Sequence, residues 1–152
     1  MKIEVDIQYG CDDKSPKPEQ IELWVSAALS ERQQATELGV RIVGEVEMTK
    51  LNAQYRSKNN LTNVLSFPSD LPKGVHLPLL GDIVICAPVV IREAQAQKKS
   101  ELSHWAHILV HGTLHLLGYD HIDNAEAEQM EKLETTILQE LGFENPYSVE
   151  SH

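Results

Sequence analysis

The stretch His111-Gly112-Thr113-Leu114-His115-Leu116-Leu117-Gly118-Tyr119-Asp120-His121 restricts the chain more than any other. On an α-helix, side chains four residues apart stand nearly above one another, so His111 and His115 project from one face. Gly118 is the residue type that ends a helix by turning left-handed, and beyond that turn His121 can swing back beneath the pair. Three imidazoles then converge and leave a fourth tetrahedral position open. That is the ligand count of a catalytic zinc site rather than a structural one, so one Zn2+ per chain is the expected cofactor. The plainer alternative is a helix with two core histidines and a surface one. The third histidine and the intervening glycine favour the metal.

The spacing reproduces the H-x-x-x-H-x-x-G-x-x-H frame of the metzincin peptidases with one departure. Where those enzymes carry the glutamate that serves as general base, this chain has Gly112. The metal cage is kept and the peptidase's base is missing.

The helix that carries the motif is unusual in composition. Ser100 is placed to cap it, and Glu101 suits its positive end. Leu102, Trp105, Ala106, Leu109, Val110, Leu116 and Leu117 cover most of its circumference, which marks a buried helix. His104, His107, His111 and His115 form the remaining polar stripe, so they face an internal cleft. Two readings stand for His104 and His107: groups that support the ligands or touch substrate, or capped core residues.

The other elements follow from periodicity and breakers. Ile3, Val5 and Ile7 alternate with Lys2, Glu4 and Asp6, a strand pattern without the apolar core of a signal peptide. Pro18 opens a first helix with Ile21, Trp24, Val25, Ala28 and Leu29 inward. Residues 41–48 read as a second strand, and Thr49 as the cap of a short helix carrying Leu51 and Tyr55 inward. A third strand is expected at 62–67, stopped by Pro68, and a loop containing His76 at 69–80. Gly81-Asp82 opens a fourth strand, Pro88 starts a third helix, and Asp123 starts a last one with Met130, Leu133, Ile137 and Leu141 inward. Asp120 and Asp123 flank His121 and read either as carboxylates supporting that ligand or as caps of the last helix. The 152 residues suffice for a single domain with its own core. The expected class is α+β: a small mixed four-stranded sheet packed with about five helices around the histidine helix.

Charge narrows the function. A formal net charge of −10 argues against binding nucleic acid through bulk electrostatics, and no DNA partner is expected. The charge is uneven, however: residues 48–69 contain Lys50, Arg56 and Lys58 and no acid. No apolar run approaches a membrane span, so the expected location is the cytoplasm, with no membrane partner. Cys11 and Cys86 form no C-x-x-C pair and read as reduced structural residues.

The histidine motif resembles that of the YbeY family of bacterial endoribonucleases. Y-R-S-K-N-N-L-T-N-V-L-S-F at 55–67 and L-L-G-D-I-V-I-C at 79–86 resemble the family's other two motifs, in the same order, and the match runs from about Arg41 to Tyr147. The resemblance implies a zinc-dependent, single-strand-selective RNase acting in 16S rRNA 3′-end maturation and ribosome quality control. It implies precursor rRNA as substrate and the ribosome or small-subunit proteins as partners. By position, His111, His115 and His121 match the family's metal ligands, Arg56 its functional arginine and Asp82 the aspartate of its Gly-Asp motif. Asn63 departs from the pattern, which carries Asp there in many relatives.

Chemically, an arginine is the natural clamp for a phosphodiester gaining negative charge, which suits Arg56. Asp82 has three readings: orienting a ligand histidine, anchoring a water, or serving as base. Two other functions are compatible with these residues. One is a zinc metallopeptidase of metzincin-like geometry; the other is a non-catalytic ribosome-assembly factor with structural zinc.

Overall fold

A computed structural model describes residues 3–30, 35–56, 61–69, 79–119 and 123–146. In chain order its elements are β1 (Ile3–Tyr9), α1 (Pro18–Ala28), β2 (Thr36–Val43), α2 (Glu45–Arg56), β3 (Val64–Pro68), β4 (Leu79–Cys86), α3 (Ala87–Ala96), α4 (Glu101–Leu116) and α5 (Asn124–Glu140). The sheet runs β1-β2-β4-β3. Its first two pairings are parallel, and β3 joins the edge antiparallel to β4. This is the expected α+β class, with a mixed four-stranded sheet and five helices.

Both faces of the sheet are covered, and strand alternation sorts residues between them. Leu38, Val40, Ile42, Ile83 and Ile85 join Ile21, Trp24, Trp105, Leu109 and Leu114 in the larger core. Val43, Leu65, Val84 and Cys86 form a smaller one with Met48 of α2 on the other face. The helix α4 lies in the larger core against β3, β4, α1, α3 and α5. Ser100 Oγ accepts from Ser103 N at 3.1 Å, the expected cap. At the other end Gly118 has φ +104°, with Gly118 N on His115 O at 3.0 Å and Tyr119 N on Leu114 O at 3.1 Å. That pair of bonds is a Schellman stop.

The strand expected at 41–48 is corrected. The strand is Thr36–Val43, and a helix starts at Glu45. Glu-Val-Glu-Met alternates, but the same four residues make a good first helical turn, with both acids at the positive end. Met48 is fully buried while Val46 is 71% exposed, a helical separation rather than a strand's shared face. Met48 N closes the first helical bond on Gly44 O at 3.1 Å, so Thr49 lies inside the helix instead of capping it. Tyr55 is exposed rather than inward, standing edge-on to Phe67 with ring centroids 5.3 Å apart. Leu102, in the first turn of α4, is also exposed.

Asp123 resolves as a cap: its Oδ1 accepts from Glu126 N at 2.8 Å. Asp120 and His76 lie outside the described residues. Cys11 and Cys86 are free thiols, and burial pushes both up from the usual thiol range. Among the described residues no helix is long and apolar enough to cross a membrane.

Candidate metal centre on the central helix

Helical spacing does bring His111 and His115 together. Their Nε2 atoms stand 3.1 Å apart and their ring centroids 4.6 Å apart. Two nitrogens bound to one tetrahedral zinc at ordinary bond lengths stand about 3.3 Å apart, so the pair is spaced as two ligands would be. The other nitrogen of His111 is already committed: Nδ1 lies 2.5 Å from Glu134 Oε1. A ring that donates its Nδ1 proton to a carboxylate presents a bare lone pair at Nε2, the form a metal requires. The residues present therefore fit a divalent metal. His121, the proposed third ligand, lies outside the described residues.

Glu134 is the group that sequence reasoning missed. It sits on α5 and is fully buried, and its Oε2 is 3.3 Å from His107 Nε2. A signal was present. Position 134 falls four residues after Met130 and three before Ile137, inside the apolar stripe that faces the core. A charge in such a stripe is expected only where it has partners.

His104 and His107 separate. His107 belongs to the centre through Glu134. His104 turns toward α3, where Nε2 meets Glu93 Oε1 at 3.0 Å, and the same oxygen accepts from Asn63 Nδ2 at 3.0 Å. The Asn63 amide thus donates to a carboxylate that an acid at this position would repel. His104 Nδ1 is buried with no hydrogen-bond partner. Burial, partly offset by Glu93, holds the His104 imidazole below its ordinary 6.5. A depressed histidine favours the fold while neutral. Its contribution is present above about pH 6.5 and is lost as pH falls and the unfolded chain takes up the proton first. Denaturant unfolding should therefore show wild type losing stability between about pH 7.5 and 5.5 by more than His104→Leu does. Parallel losses in the two proteins would contradict this.

Asp82 is not brought to the histidines. Strand alternation puts Ile83 against α4, where its Cγ2 is the atom closest to Gly112, and turns Asp82 to the opposite face. There its carboxylate is exposed beside Gly39 and helps line a cavity of about 470 Å³ with Asp6, Gln8, Arg41 and Tyr55. Asp82 therefore lies on the sheet face turned away from α4. Arg56 is the last residue of α2, and its side chain lies outside the described residues.

Fold and site together define a small α+β protein whose central helix presents paired histidines backed by a buried carboxylate. The chain belongs to the YbeY family: the family model for Endoribonuclease YbeY matches residues 7–142. Membership assigns the chain to the nucleases, as an endoribonuclease of rRNA processing. The fold is also similar to that of TM1509 from Thermotoga maritima, known as a solution structure. The two share 23% identity at a TM-score of 0.60, over 95% of this chain and 99% of that one.

Proposed function

We propose that this chain is a zinc-dependent endoribonuclease of the cytoplasm, selective for single-stranded RNA, acting in 16S rRNA 3′-end maturation and ribosome quality control. In this reading His111, His115 and His121 hold the metal. The observation that carries it is the convergence of the His111 and His115 Nε2 atoms at 3.1 Å. When bound, zinc supplies Lewis-acid charge and a source of hydroxide at neutral pH. The chain's own part is to hold both rings in one tautomer and to grip the scissile phosphate. Single-strand selectivity and the ribosomal partners rest on the family resemblance.

The test is purified protein with its metal quantified, incubated with single- and double-stranded RNA of one sequence, with and without chelator. Chelator-sensitive cleavage of the single strand alone supports the reading. Undiminished cleavage by metal-free protein sinks it.

Arg56 is the proposed phosphate clamp. It ends α2 within the acid-free stretch 48–69, and a guanidinium offers a planar fork for two phosphate oxygens. Arg56→Ala should leave metal content and melting temperature near wild type while cleavage loses ~2–4 kcal/mol of transition-state stabilisation. Arg56→Lys should recover RNA binding better than turnover, because a point charge keeps attraction but not geometry. A variant that melts early would make Arg56 a structural residue instead.

A further inference from the structure

We infer that Glu134 is the positioning residue of the histidine centre and that His107 is the clamp that holds Glu134 in place. The inference rests on the metal reading above and adds two residues to it, Glu134 from α5 and His107 from the same polar stripe of α4.

Three observations converge. Glu134 is the only buried acid among the described residues. An ionised carboxylate is costly to bury, and its neighbours along α5 show what an ordinary core position takes: Met130, Ile137 and Leu138. Both of its oxygens are engaged by histidines of α4, Oε1 by His111 Nδ1 at 2.5 Å and Oε2 by His107 Nε2 at 3.3 Å. The contact to His111 is the shorter, and it falls on the nitrogen that does not face His115.

A carboxylate at Nδ1 does two things to a ligand ring. It fixes the tautomer, so that Nε2 carries the lone pair, and it makes that nitrogen a stronger donor to a cation. It also stops ring rotation about the Cβ–Cγ bond, which would otherwise swing Nε2 away from the partner nitrogen. A single hydrogen bond leaves the carboxylate free to turn about its own axis. The second, from His107 to Oε2, removes that freedom. His107 lies one helical turn before His111, so α4 supplies both the ligand and the group that restrains the ligand's partner.

One competing arrangement uses the same atoms. His107, His111 and Glu134 offer donors within 4.8 Å of one another and can be drawn as metal ligands themselves. The His111–Glu134 contact weighs against one form of it, with Nδ1 and Oε1 on the same ion. Two ligands of one tetrahedral ion stand well over 3 Å apart, whereas 2.5 Å leaves room for a shared proton and nothing larger. Using Nδ1 for a metal would also leave the His111–His115 approach unexplained.

The test measures metal affinity, with Zn2+ by competition against a chromogenic chelator and Co2+ by its visible spectrum. Glu134→Gln keeps the shape and an acceptor oxygen but loses the charge. It should bind roughly 10- to 100-fold more weakly, with a shifted Co2+ band, while metal-free melting stays near wild type. His107→Leu should weaken binding in the same direction, and His107→Gln, which keeps a donor near the Nε2 position, should restore it. Equal affinities and spectra in wild type and Glu134→Gln overturn the inference. If Glu134→Gln does not fold, the His107 pair decides alone: equal affinity in the Leu and Gln variants overturns it. Loss of all binding in Glu134→Gln, with His107→Leu behaving likewise, makes these residues ligands and also overturns it. A wild-type protein that takes up neither ion defeats the metal reading itself, a result distinct from all of these.

Discussion

Gly112→Glu should cost the protein about 3–5 kcal/mol of stability and create no peptidase. The substitution restores the one residue by which the histidine motif departs from the metzincin frame, so it is the natural way to ask whether this helix hides a protease. Space forbids the side chain. A Cβ at position 112 would lie 3.1 Å from Ile83 Cγ2 and 3.4 Å from both Ile83 Cδ1 and Ser66 Oγ. Ile83 is fully buried at the centre of the sheet and has little room to retreat. Ser66 Oγ also donates to Gly112 O at 3.3 Å, tying the helix to the strand at this spot. A glutamate here would be driven into the sheet, against Ile83 and Ser66.

Position 112 therefore points at β3 and β4, away from the face shared by His111 and His115. Gly112→Ala is the control, and it should cost far less, because the neighbours need give only a few tenths of an ångström. Thermal melting and a chelator-controlled casein assay check both. A Gly112→Glu protein that melts near wild type and digests casein would restore the peptidase reading.

His115→Ala should take metal content from about one ion per chain to near zero and reduce RNA cleavage by about 4 kcal/mol or more of transition-state stabilisation. The fold should survive it. His115 sits in the last turn of α4 on its partly exposed face, whereas the helix is fastened by Trp105, Leu109, Val110 and Leu114 in the core. The Schellman stop beyond it uses the backbone oxygen of His115, which alanine keeps. Metal analysis, circular dichroism and cleavage measured on one preparation separate loss of the site from loss of structure. A folded, fully metallated His115→Ala would remove this residue from the ligand set.

The two variants probe neighbouring positions that differ in one respect. His115 stands beside His111 on the partly exposed face of α4, whereas Gly112 faces the sheet. The i, i+4 spacing predicted the first fact, since it is a property of one helix. The second needed β3 and β4 in place.

The same division runs through the whole chain. The sequence by itself determined what is local. Ser100 and Gly118 set the ends of α4 because capping groups act within a few residues. The apolar circumference marked that helix as buried, and four-residue spacing put two imidazoles side by side. The α1 helix was legible for the same reason, with Pro18 at its start and Ile21, Trp24, Val25 and Ala28 on one face. At 41–48 the local signal failed, because four alternating residues suit a strand and a first helical turn equally. Only the arrangement of the finished sheet, with β2 paired between β1 and β4, distinguished them.

Contacts between distant residues were decided by tertiary structure alone. Which face of the sheet Asp82 occupies depends on the register of β4 against β2 and β3, and one residue's shift would have reversed it. Glu134 meets His111 across 23 positions of sequence, through the packing of α5 on α4. No pattern within either helix specifies that meeting. An acid in an apolar stripe announces only that some partner must exist, because a bare charge cannot be buried; which histidine it holds was settled when the two helices docked.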